Sequence, residues 1–224
     1  MYFHELSDHA GQFFIVLYFC VNFDERRIPC YDLGMVKILQ KEDKLLRKTA
    51  ETVDLAFIGT PEFKKITSDM HDAIMSQDDA VAVAAPQIGV LKRIFAISGR
   101  VFDNFEIKEN PHPDLIFVNP EIIKLSKDKK IMTEGCLSVR YLYGKIRRAS
   151  RATIRAYDEH GEKIERGASG LVAQIFQHEV DHLNGVLFID TAKDLQDIPP
   201  EKLHIHKKVE PKTGHKPEHK HTHE

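Results

Sequence analysis

The chain has 224 residues, 42% of them hydrophobic, which suits one domain with a sizeable core plus appendages. With 32 Lys and Arg against 34 Asp and Glu, the formal net charge of −2 excludes a global basic field for DNA, and any RNA contact must be local. Cys20, Cys30 and Cys136 are too few and too unevenly spaced for a disulfide framework, so a cytoplasmic setting is expected and Cys136 is available as a thiolate.

Residues 1–34 read as an N-terminal extension. The apolar run FFIVLYFCV, residues 13–21, is too short to span a bilayer, with no basic flank before it and no small-residue cleavage site after it. Glu5, Asp8, Asp24 and Glu25 also disagree with an Arg-rich transit sequence, and no membrane partner is expected. The segment is read as either a buried extra strand or translated upstream sequence, the second being preferred, with Met35 as the natural start.

From Met35 to residue 195 the chain reads as one catalytic domain. MVKIL predicts a short strand, and EDKLLRKTAETVD an extended polar approach to a turn. Between residues 61 and 77, Phe63, Ile66, Met70 and Ile74 recur at helical spacing, Thr60 can cap and Pro61 fits the first turn. That predicts an amphipathic helix, with Met70 and Met75 as core filling. The small-residue stretch DDAVAVAAPQIGV is broken at Pro86 and followed by a strand, RIFAI. LIFVNP and EIIKLS read as strand around a proline break, and residues 127–130 as a charged turn. IMTEGCLSV, IRRAS and ATIRAYDEHGEKIERG supply further strands, the last a hairpin turning at Glu159, His160 and Gly161. Several strands followed by one helix predict an α+β domain whose antiparallel sheets pack around a central C-terminal helix.

That helix is SGLVAQIFQHEVDHLNG, residues 169–185, where Leu171, Ile175, His178 and His182 fall on one face. Ser169 and Gly185 are its candidate caps. Two histidines four apart project from successive turns, so both imidazoles can reach one metal ion, with Glu179 roughly 100° round the helix. A catalytic ion takes three protein ligands and a water, so a third ligand is needed. Candidates are Cys136, acids downstream such as Asp190, and the tail histidines; Cys136 stands out because it lies in EGCLSV. The tail, residues 196–224, is rich in Lys and His from residue 204 onward and has too few apolar residues there to fold. Within residues 204–224, five Lys against three Glu could favour RNA phosphate.

Three segments, AVAVAAPQ at residues 80–87, EGCLS at 134–138 and QHEVDH at 177–182, make the chain resemble the peptide deformylase family over nearly all of residues 35–190. The resemblance implies Cys136, His178 and His182 as metal ligands, Glu179 as general acid and base, and Gln87 with the Leu137 amide as oxyanion donors. It implies one divalent ion, Fe²⁺ in the cell, with Ni²⁺, Co²⁺ or Zn²⁺ able to occupy the same ligands. The implied reaction is hydrolysis of the N-formyl group from the formyl-methionine end of nascent peptides, releasing formate, with transient contact to the ribosome. Ala82, Val83, Ile88 and Val180, with Leu137, are expected around the substrate. The chain departs from the family where two glycines are replaced by Ala80 and Ala82, and where Arg140, Tyr141, Leu142 and Tyr143 precede Gly144. Alanine can obstruct a loop that needs glycine, so a deformylase-like binding protein with impaired catalysis is the alternative. A zinc peptidase would leave EGCLS unexplained. Arg147 or Arg148 resembles the family's basic residue near the substrate.

Overall fold

In the computed structural model of the chain, residues 36–76, 80–103 and 112–198 are described, together with a two-residue ladder between β1 (Leu6–Ser7) and β2 (Phe13–Phe14). Apart from that ladder, the readings of residues 1–34 lie outside the described residues, as does that of the tail beyond residue 198. Helix α1 (Pro61–Met75) begins where Thr60 accepts a hydrogen bond from the Phe63 N–H and Pro61 needs no donor. After it come β3 (Ala82–Ala84), β4 (Ile94–Ile97), β5 (Leu115–Leu125), β6 (Lys129–Cys136), β7 (Val139–Ala149), β8 (Arg151–Tyr157), β9 (Lys163–Ser169), α2 (Gly170–Leu183) and β10 (Lys193–Asp197).

Two antiparallel sheets carry the architecture. One has the order β3-β4-β5-β8-β9 and the other β10-β7-β6. The larger sheet is covered on both faces, and strand alternation sorts its side chains between two cores. Ile94, Ala96, Ile116, Val118 and Val83 meet Phe63, Ile66, Met70 and Ile74 of α1. Phe95, Ile97, Phe117, Ala82 and Ala84 meet Ile175, Phe176, Val180 and Leu183 of α2. Phe95 stacks on Phe117 with ring centroids 4.7 Å apart, and Phe176 meets Phe117 edge-on at 5.5 Å. A third cluster, Leu46, Val139, Ile146, Leu187 and Phe188, lies under the smaller sheet.

Several local expectations are corrected. MVKIL forms no strand over its described residues 36–39, and Lys44–Arg47 is a 3-10 turn capped by Asp43, because the Asp43 side chain offers the Leu45 N–H a local acceptor. β5 runs unbroken through Pro120, since the register shifts between Val118 and Glu121 and the strand bulges around the missing donor. Lys129 and Lys130 belong to β6, so the charged turn is shorter than expected. Met75, at the end of α1, is 54% exposed and fills no core, whereas Met70 is fully buried. The β8–β9 hairpin closes as read, with Asp158 accepting from the His160 and Glu162 N–H groups and Gly161 at φ +82°. Ser169 precedes α2 without a side-chain capping bond. At the other end Asn184 is the C-cap, and Gly185 follows in the left-handed conformation against the backbone of Arg47, where a Cβ would collide.

Candidate metal centre

α2 brings His178 and His182 to one side, their rings 4.9 Å apart. Cys136 arrives from the smaller sheet, at the end of β6, where the chain turns at Leu137 and Ser138 and re-pairs through Val139. Its Sγ lies 3.1 Å from His182 Nε2, and one ligand atom from each of Cys136, His178 and His182 falls within 4.8 Å of the others. A thiolate and two imidazoles so disposed fit a late first-row divalent ion with a position left for water.

The histidines differ electrostatically. His178 Nδ1 is 3.0 Å from Glu134 Oε2, which leaves its Nε2 for the cluster. Burial opposes a charge on His178, but Cys136 and Glu134 together raise its pKa well above the usual histidine value. His182 is held well below that value by burial and by the charge of His178, as suits a neutral ligand; its Nδ1 is buried without a partner.

Behind His178 lies a buried ion-pair chain. Arg148 donates from Nε and Nη2 to the two oxygens of Glu134, at 2.8 and 3.0 Å, and from Nη1 to Asp181 at 2.6 Å. Burial works to raise the Glu134 carboxyl, yet His178 and Arg148 overcome it and bring the pKa down to about 2. Gln177, the first residue of QHEVDH, ties α2 to β7 through the N–H and carbonyl of Ala149, both at 3.0 Å. Glu179 is 4% exposed and its Oε2 has no partner. Its burial, reinforced by the carboxylates of Glu134 and Asp181 against the charge of His178, raises its pKa to about 7. A carboxyl near neutrality can both take and return a proton.

Gln87 sits in the 3-10 turn Ala85–Ile88 that follows β3. Its Oε1 accepts from the Ala84 N–H at 2.8 Å, which turns Nε2 toward Ser138 Oγ at 3.1 Å and Cys136 Sγ at 3.6 Å. Gln87, Cys136, Leu137, His178, Glu179 and His182 thus come from β3's turn, the β6–β7 turn and α2. Asp190 is not in the cluster: it pairs with Arg47 at 2.5 Å and accepts from the Leu187 N–H. Val83 is fully buried toward α1 and Ala82 toward α2, while Ile88 packs at the edge of the α1 core and Val180 in the α2 core. Neither Ala80 nor Ala82 has a positive φ, and both methyl groups are buried, so neither position demands glycine for its backbone.

Sequence reading missed Glu134, Asp181 and Ser138 and left Arg147 and Arg148 unresolved. Arg147 is exposed, and Arg148 is 8% exposed and bound to Glu134. The missed signal is an acid two residues before the cysteine and another one residue before the second histidine, both facing Arg148 of β7.

The family model for polypeptide deformylase matches residues 35–197. Peptide deformylase 2 of Clostridium acetobutylicum is 35% identical over 159 residues, 70% of this chain and 95% of that protein. The peptide deformylase of Leptospira biflexa is 39% identical over 162 residues, 72% of this chain and 89% of the relative. Among solved structures, a Legionella pneumophila peptide deformylase superposes with a TM-score of 0.62 at 36% identity, covering 72% of this chain and 88% of the other. A class I type b enzyme of Acinetobacter baumannii gives 0.62 at 28% identity, over 70% and 98%. The chain therefore belongs to the polypeptide deformylase family, metal-dependent enzymes that remove the N-formyl group from nascent peptides.

Proposed function

We propose that Cys136, His178 and His182 hold the divalent ion of this deformylase, Fe²⁺ in the cell with Ni²⁺, Co²⁺ or Zn²⁺ as substitutes, and that Glu179, Gln87 and the Leu137 amide carry the reaction. The observation behind the ligand set is the convergence of one sulfur and two imidazoles within 4.8 Å. When bound, the ion acts as a Lewis acid toward water and the formyl carbonyl. Glu179 takes a proton from the attacking water and returns it to the nitrogen of the breaking C–N bond, so formate and a free α-amino group leave. Gln87 Nε2 and the Leu137 N–H donate to the formyl oxygen as negative charge develops there. Glu134 keeps His178 in the tautomer that presents Nε2.

The peptide is read as lying along β3, one of the two edge strands of the larger sheet. Ala82 and Val83 are read as serving through their backbone, and the half-buried Ile88, with Leu137 and Val180 each 8% exposed beside it, as the apolar wall for the methionine side chain. A peptide with Met first is the appropriate occupant, since the A. baumannii relative binds Met-Ala-Ser. The test is formate release from a formyl-Met dipeptide by protein loaded anaerobically with Fe²⁺ or Ni²⁺. Release with one ion per chain, lost on chelation and in Cys136→Ala, is expected; undiminished release from Cys136→Ala overturns the ligand set.

The protein is placed in the cytoplasm, where nascent formylated chains arise, with a transient ribosome contact through the basic tail. No described helix is long and apolar enough to cross a membrane. Chain ending at Pro200 should bind ribosomes more weakly than the full chain in co-sedimentation at low salt, and equal binding would remove the tail from the encounter.

A further inference from the structure

The segment just before the first 3-10 turn touches both proposed oxyanion elements without contributing a reacting group. The Leu39 N–H donates to the carbonyl of Gln87 at 2.8 Å. Gln40 Nε2 donates to the carbonyl of Leu137 at 3.1 Å, bridging 97 residues of sequence, and also lies 3.3 Å from the carbonyl of Ile38. Ile38 packs with the cluster that contains Leu137 and Ile88, and Leu39 with the cluster that contacts Cys136. The strap therefore ties the turn that carries Gln87 to the β6–β7 turn that carries Leu137.

The Leu137 carbonyl shares its peptide plane with the Ser138 N–H, and that N–H donates to Cys136 Sγ at 3.4 Å. The order is thus Gln40 Nε2–H to Leu137 C=O, then Ser138 N–H to Cys136 sulfur. A donor on the carbonyl polarises the amide and strengthens its N–H as a donor, and the planar bond transmits orientation from one end to the other. Hydrogen bonds to a ligating sulfur lower its electron donation to the ion.

We propose that Gln40 is a positioning residue that acts through the Leu137–Ser138 peptide group to fix and tune the Cys136 thiolate. This rests on the reading of Cys136 as a ligand. Gln40 is itself exposed, so its replacement removes a polar contact and no core volume.

The test uses the full chain loaded with Co²⁺, whose sulfur-to-cobalt charge-transfer absorption reports directly on the thiolate. Gln40→Leu, which cannot donate, should move that band to longer wavelength and lower kcat about tenfold with KM changed less than twofold, the scale expected of a contact outside the ligand set. Gln40→Lys, which restores a donor of similar reach, should return the band and the rate toward those of the parent. An unmoved band in Gln40→Leu overturns the proposal whatever the rate does, because a merely structural strap would slow the enzyme without altering the sulfur. Cys136→Ala is the separating control: if it keeps the band, the ligand reading has failed, and if it loses the band, an unmoved Gln40→Leu spectrum counts against Gln40 alone.

Discussion

Glu179→Gln should lower kcat for formate release by roughly 10³-fold while leaving metal content unchanged. The substitution is nearly isosteric and removes only the ability to exchange a proton. Two proton movements pass through this carboxyl in the proposed reaction, one from water and one to the departing nitrogen, so both fail together. Ligation and the donors at Gln87 and Leu137 remain and account for the residual rate. The same variant should stabilise the metal-free protein at alkaline pH. Burial raises the Glu179 pKa from 4.5 to about 7, so keeping it charged in the fold is unfavourable. That cost is absent below pH 4.5, grows between 4.5 and 7, and is complete above about 7. Urea unfolding at pH 8 and pH 4 reads the difference. A kcat loss below tenfold would assign the proton transfers to another group.

Glu134→Gln should destabilise the metal-free protein by roughly 3 kcal/mol at pH 7, through the buried bidentate pair with Arg148. Glu134 has its pKa lowered from 4.5 to about 2, so its ionised form is favoured in the fold. The resulting stability is fully present above pH 4.5 and is lost as pH falls through about 2. The gap between parent and variant in urea should therefore be constant from pH 7 to 5 and close toward pH 2. A gap that does not narrow would mean that the carboxylate charge contributes nothing and that only shape was lost. Metal retention should fall in the same variant, because an amide holds the Nδ1–H of His178 less firmly than a carboxylate does.

How far the sequence exposed this depended on whether the information was local. α2 was legible because its periodicity, the glycine just past its C-cap and the pair His178 and His182 all lie within one window. The EGCLS and QHEVDH segments gave the clustered residues, since identity and order along the chain sufficed. Residues joined only in space were not legible. Arg147 and Arg148 are adjacent on β7, and alternation says that they face opposite ways without saying which faces inward. The pairing Lys130 with Arg148 and Glu134 with Gly144 sets that register, and it becomes visible only in the folded hairpin. The 3-10 turns escaped because one turn leaves no periodic signal, and β10 because all five of its residues are exposed, so no apolar alternation marks it. Gln40 is a lone polar residue whose partner lies 97 positions away.

Cys136 belongs to the smaller sheet, whereas His182, 46 residues later, belongs to the helix packed on the larger one. With an ion bound at the proposed ligands, the two sheets are clipped together across a long loop. The ion is then a cross-link as well as a reagent, and cross-links that close long loops restrict the unfolded chain most. Free ion at about a thousand times its dissociation constant would add roughly 4 kcal/mol to the folding equilibrium. Durability and turnover are then coupled: an enzyme stripped of its ion loses its chemistry and, in the same event, the clasp that keeps its two halves in register.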